Sequence, residues 1–241
     1  MGREGETYGE DSTLAAAMGS AYTRGIQKQG DGECRAESVA KHYMGFHQSE
    51  GGIHGTVCSI PERLLREVYG LPFQAAIAEE NLRGVMPCYC SIGGEPVSAS
   101  EHLLTQILRQ EMGFDGVAVA DYSAVSNVHH TQKLYETEAE AGLACLSAGM
   151  DVELPDTVCF NEEMKAMFAQ GKADMALLDQ AVRRVLRAQF RMGLFEHPFA
   201  LTGSALSEMV HHPEDELITL QSALESLVLL KNDNHVLCLL Y

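Results

Sequence analysis

Apolar and polar positions along the chain fall into two kinds of segment. Short apolar runs lie in ESVAKHYMGF (Glu37 to Phe46), RGVMPCYC (Arg83 to Cys90), GVAVAD (Gly116 to Asp121) and MDVELP (Met150 to Pro155). Uninterrupted runs of this length read as strands buried on both faces, the pattern of a parallel sheet. Between them apolar residues recur at helical spacing. Ser12 opens one such pattern through Leu14, Met18 and Tyr22. Ser59 and Glu62 have capping-box spacing ahead of LLREVYGLPFQAAIAEE, a helix interrupted at Gly70 and Pro72. Ser98 and Glu101 repeat that spacing before HLLTQILRQEM, and TEAEAGLACLSAG ends on Gly149. Two further helices are predicted at 161–170 and 175–192. The second carries Leu178, Val182, Val185, Leu186 and Phe190 at helical spacing, with arginines between them.

Four strand-then-helix units predict an α/β fold, either an open doubly wound sheet or a (β/α) barrel. No strand is followed by a dinucleotide-type glycine loop; Gly51-Gly52 and Gly93-Gly94 lack its spacing. What recurs is a polar residue at each strand's C-terminal end: Lys41 and His42, Tyr89, Asp121, Glu153. A barrel gathers those ends on one rim, where its active site lies, whereas an open sheet scatters them. After Pro198 the pattern changes. A helix over 213–227 leads into SLVLLKNDNHVLCLLY, which reads as strand, turn at Asp233-Asn234, and strand, the start of a second unit.

Composition narrows the partners. In 241 residues, 34 acids against 17 bases give a formal net charge of −17. Nucleic acid and anionic membranes both need a basic face, so neither is expected as a partner. The seven cysteines are odd in number, in a chain too long to need disulfide staples. With no apolar leader in MGREGETYGEDS and no apolar run of membrane-spanning length, the chain itself reads as cytoplasmic. A longer parent could carry a leader ahead of Met1.

The candidate chemistry begins at Asp121, because a carboxylate closing an apolar strand is costly unless something uses or neutralises it. It could simply cap the following helix, and Lys41-His42 could be a solvated pair. Taken together, a rim holding a carboxylate, an ammonium, an imidazole and a phenol suits a polyhydroxylated substrate. Sugar hydroxyls need donors and acceptors in fixed directions, and a carboxylate can attack an anomeric carbon. Cys88 and Cys90 are two apart on a strand with no second pair nearby, and read as small buried residues. His129-His130 and His211-His212 lack the i, i+4 spacing of ligand pairs. No metal and no cofactor is expected.

The residues also carry a family signature. In order they are GREGETYGED (Gly2 to Asp11), AKHYMGF (Ala40 to Phe46), VMPCYCSIGGEPVSAS (Val85 to Ser100), LLTQILRQEMGFDGVAVADY (Leu103 to Tyr122), AGMDVELP (Ala148 to Pro155), AVRRVLRAQFRMGLFEHPF (Ala181 to Phe199) and ESLVLLKND (Glu225 to Asp233). Over nearly its whole length the chain resembles the glycoside hydrolase family 3 β-glucosidases and β-xylosidases. The resemblance implies a retaining β-glycosidase acting on terminal non-reducing β-D-glycosyl residues of an oligosaccharide or aryl β-glycoside. Asp121 matches the nucleophile that forms the glycosyl-enzyme. Arg3, Lys41 and His42 match residues that hold the sugar's hydroxyls, and Tyr89 matches an aromatic beside the nucleophile.

Departures from the family pattern qualify this reading. The family's barrel has about four further strands before the GR…ETYGED motif, and a full barrel takes roughly 250 residues. Residues 1–199 are therefore expected to form the C-terminal part of a (β/α)8 TIM-type barrel. Residues 200–241 would be a linker helix and the first strands of a truncated α/β sandwich domain. The general acid/base belongs to that second domain in most of the family and is expected outside this chain. Cys238 stands where a proline is usual, and Ile53 where arginine is frequent, which leaves glucoside against xyloside open. The N-acetylhexosaminidase branch is the first alternative, since His47 and His54 lie in the loop after Lys41-His42, although Met44 replaces that branch's proline. The other alternative is an inactive half barrel, self-associating through its open edges.

Overall fold

Among the described residues, 3–27, 36–210 and 212–238, this computed structural model forms six strands. These are β1 (Val39–Tyr43), β2 (Val57–Cys58), β3 (Gly84–Pro87), β4 (Ser91–Ile92), β5 (Glu95–Pro96) and β6 (Val117–Ala118). β3 lies between β1 and β6 and is parallel to both. The ladder continues through a parallel bridge from Val119 to Val152. Strand order across the sheet is thus chain order, with no reversal in the middle. A second, small sheet places β2 parallel to β4, and β4 in a hairpin with β5.

The apolar runs are strands because both faces are covered. Val85, Ala118 and Ala120 are fully buried, as are Leu104, Ile107, Leu108, Val125 and Met150 around them. MDVELP contributes only the Val152 bridge as regular pairing, yet its backbone stays on the ladder. Ala120 N–H donates to Val152 O at 2.9 Å and Ser123 N–H to Leu154 O at 2.8 Å.

The helices fall near their predicted places, at Ser12–Gln27, Leu71–Glu80, His102–Glu111, Glu138–Ala148, Glu162–Ala169 and Met175–Arg191. Their starts differ from expectation. Ser59 donates its hydroxyl to Glu50 at 2.8 Å, and Pro61 stands at the N-cap of Glu62–Leu64. Ser98 is buried in the short turn Val97–Ala99. It is Ser100, tied to Glu95, that accepts from Leu103 N–H at 3.3 Å. The capping box that does form pairs Thr137 with Glu140. Gly149, in the left-handed region at φ 115°, closes that helix as predicted.

The Met175–Arg191 helix docks differently from its apolar stripe. Ala181 is its one buried residue, while Leu178, Val182, Leu186 and Phe190 are exposed. Its arginines reach inward instead: Arg184 to Asp151 at 2.8 Å, and Arg191 to Asp115 at 2.8 Å.

The chain divides into two units, Met1–Glu196 and His197–Tyr241. In the second, helices span Gly203–Val210 and Pro213–Glu225. The predicted strand–turn–strand is not a pair of strands among the described residues. Between Glu225 and residue 238 the described residues contain only a short turn, Asp233–His235, and 239–241 lie outside them. Its apolar residues are exposed, Leu230 at 91%. The apolar pattern is present, but no neighbouring strand of this unit takes up its backbone N–H and C=O groups, and an unpaired segment is not a strand.

Candidate active site

The site forms where the parallel strands end. Asp121 follows the β6 run and is 17% exposed. Its Oδ1 accepts from the backbone N–H of Tyr122 at 2.7 Å, and its Oδ2 faces His42 Nε2 at 3.4 Å. The carboxylate does not cap the next helix. Ser123, in the left-handed region at φ 61°, occupies the N-cap of Ala124–His130.

His42 leaves β1 toward the same point and is buried, with the Phe46 ring edge-on at 5.2 Å. Burial pushes its imidazole down to about 4, and the neighbouring charges of Lys41 and Arg3 add to this. The opposite pull of Asp121 and Glu6 is weaker. At neutral pH the ring is uncharged and hydrogen-bonds without competing for a proton.

Tyr89 stands beyond β3. Its hydroxyl donates to the Tyr122 carbonyl at 2.8 Å, and Gln132 Nε2 donates to its own carbonyl at 3.1 Å. Burial first, then hydrogen bonding and charge from Asp121, raise its phenol to about 12.

Arg3 precedes the turn Glu4–Glu6 and lies against this group. Its Nε and one terminal nitrogen fork onto Glu6 at 2.6 and 2.7 Å. Its other arm meets His54 Nε2 at 2.8 Å, and its guanidinium lies 5.5 Å from the centre of the Phe46 ring. Lys41 Nζ donates to the same Glu6 at 3.2 Å. Arg3, Lys41, His42, Tyr89 and Asp121 thus come together, from segments up to 118 residues apart in number (121 − 3).

Glu6 and His54 complete the cluster. Glu6 escapes a reading for strand ends because it sits in a turn near the start of the described chain. Its signal was the i, i+3 spacing from Arg3. The hydrogen bonds from Arg3 and then Lys41 hold its carboxyl down to about 2. His54 meets the Tyr89 ring edge-on at 5.1 Å.

Glu153 does not join them. Both its oxygens accept from Cys159 N–H, each at 3.0 Å, and one also from Phe160 N–H at 2.8 Å. It latches a loop. Cys88 and Cys90 are fully buried, their thiols beside Met44 O and Ser49 Oγ. His129 bonds to Tyr135 O and His130 to Glu138; His212 precedes the Pro213–Glu225 helix, and His211 lies outside the described residues.

With this geometry in place, the chain was compared with known proteins. The sequence model of the glycosyl hydrolase family 3 N terminal domain matches residues 1–188. The chain belongs to glycosyl hydrolase family 3. A β-xylosidase from Formosa agariphila is 36% identical to the family 3 chain over 98% of it and 34% of the relative. A lysosomal β-glucosidase from Dictyostelium discoideum is 34% identical over 96% and 29%. Among solved structures, a β-glucosidase from Erythrobacter marinus superposes with a TM-score of 0.91 at 32% identity, covering 99% of this chain and 32% of that one. A β-glucosidase from Listeria innocua in complex with glucose does so at 0.88 and 29%, covering 98% and 33%. The chain therefore spans about a third of the length of these relatives. Its parallel sheet and covering helices are those of a family 3 α/β domain.

Proposed function

We propose that the protein of which this chain forms part is a retaining β-glycosidase, with Asp121 as the nucleophile of a covalent glycosyl-enzyme. The observation that carries the reading is the state of the Asp121 carboxylate. It is reachable, one oxygen is fixed by Tyr122 N–H, and the other faces the neutral imidazole of His42, with the Tyr89 phenol close by. A carboxylate so placed beside hydroxyl-binding groups can attack an anomeric carbon. Arg3, Lys41 and His42 would hold the sugar's hydroxyls, with Tyr89 beside the nucleophile.

Residues 1–199 would be the C-terminal part of a (β/α)8 barrel, and 200–241 the approach to an α/β sandwich domain. Sheet order equal to chain order supports the barrel over a doubly wound sheet, which reverses at its middle. Glu6 has no proton to give, Tyr89 keeps its own, and His42 is neutral. The family resemblance implies an acid/base in the domain that follows, and we assign it to another part of the protein. Relatives of both β-glucosidase and β-xylosidase name make both sugars candidate substrates.

Trapping tests the assignment. A 2-deoxy-2-fluoro-β-glycoside with a dinitrophenolate leaving group needs no acid to depart, so transfer depends on the nucleophile alone. Incubation with the 2-fluoroglucoside and the 2-fluoroxyloside, followed by peptide mass spectrometry, should place the label on Asp121 and none on D121N. A label on any other residue removes the assignment.

A further inference from the structure

We infer that Glu6 is a positioning residue for the reaction at Asp121: it holds Arg3 and Lys41 together so that neither cation closes over the carboxylate. The inference rests on the reading of Asp121 as nucleophile.

Glu6 is the hub of the charged groups. Its two oxygens take Arg3 as a fork at 2.6 and 2.7 Å, and Oε2 takes Lys41 at 3.2 Å. The same oxygen lies 4.0 Å from His42 Nε2. His54, at 2.8 Å, fixes the arm of Arg3 that Glu6 leaves free. Asp121, by contrast, has His42 as its one ion-pair neighbour among the described residues; neither Arg3 nor Lys41 reaches it.

That separation matters because two mobile cations beside a lone carboxylate would pair with it directly. A guanidinium in particular offers a bidentate fit. A carboxylate so engaged gives up electron density to the pair and must break it before it can attack carbon. Glu6 supplies the competing carboxylate in fork geometry and leaves each cation's remaining N–H bonds for a hydroxylated ligand. It also balances the site. The two cations Arg3 and Lys41 are matched by two carboxylates, Glu6 in contact with both and Asp121 nearby. E6Q keeps the shape and removes one of the two negative charges.

The test compares wild type, E6Q and E6D of the full chain. Rates of Asp121 labelling by the activated 2-fluoroglycosides should fall about ten- to a hundredfold in E6Q and recover in part in E6D. The melting temperature of E6Q should stay within about 2 °C of wild type, because Glu6 and Lys41 are open to solvent and Arg3 is partly so. A crystal structure of E6Q should show Arg3 or Lys41 at ion-pair distance from Asp121. A wild-type labelling rate in E6Q overturns the inference, and so do Arg3 and Lys41 unmoved in that structure. If the wild type itself takes no label, the nucleophile reading fails separately, and the cation positions in E6Q alone decide the role of Glu6.

Discussion

His42 is the residue whose environment makes the sharpest pH prediction. Its folded proton affinity is lowered to about 4, whereas the unfolded side chain titrates near 6.5. Between those values the unfolded chain binds a proton that the folded one does not. The contribution to stability is therefore complete above about pH 6.5 and is lost as pH falls toward 4, by up to about 3 kcal/mol. Urea midpoints should decline across that window in the wild type and decline less in H42N; equal slopes would refute it. At this scale the sequence was readable where a residue closed an apolar run, as Lys41, His42 and Asp121 do. It was mute where partnership arises only on folding. Nothing local couples Glu6 to Lys41, 35 residues later.

At the scale of elements, the existence of helices was legible from spacing, and their starts were not. Ser59 and Ser98 have the right residue three places on, but the Ser59 hydroxyl goes to Glu50, and Ser98 is buried in a preceding turn while Ser100, tied to Glu95, takes the capping role. Thr137 caps as the rule requires: its side chain accepts from Glu140 N–H, and the Glu140 carboxylate accepts from Thr137 N–H in return. The Met175–Arg191 helix shows the same limit from the other side. Its arginines find acids along the body of the unit, Arg184 the buried Asp151 and Arg191 the exposed Asp115, while its apolar stripe stays open. The Glu138–Ala148 helix also packs closely, through Gly142. A Cβ there would lie 2.6 Å from the carbonyl oxygen of Cys159, a backbone atom that cannot rotate away. G142A should lower stability by about 2–3 kcal/mol, read from urea or thermal midpoints. A wild-type midpoint would mean that the Cys159 segment yields.

Across the Met1–Glu196 unit, one buried acid ties distant parts together. The Asp151 side chain is fully buried. It accepts from Arg109 and Arg184, each at 2.8 Å, and from Ala118 N–H at 2.8 Å. Arg109 extends the network to the carbonyls of Gly116 and Gly149 at 3.0 and 2.9 Å. Removing one partner strands the other charges in a dry setting, so D151N should cost about 3–5 kcal/mol in chemical denaturation. A loss under 1 kcal/mol would show water reaching the arginines. Asp151 and Asp121, 30 positions apart (151 − 121), take different partners: Arg109, Arg184 and Ala118 N–H for the first, His42 and Tyr122 N–H for the second. One acid braces the fold with both oxygens engaged, and the other keeps an oxygen in reserve. Because bracing and reactivity are assigned to separate carboxylates, the rim is free to drift. Substitutions at the strand ends can accumulate while the anchor beneath them stays put.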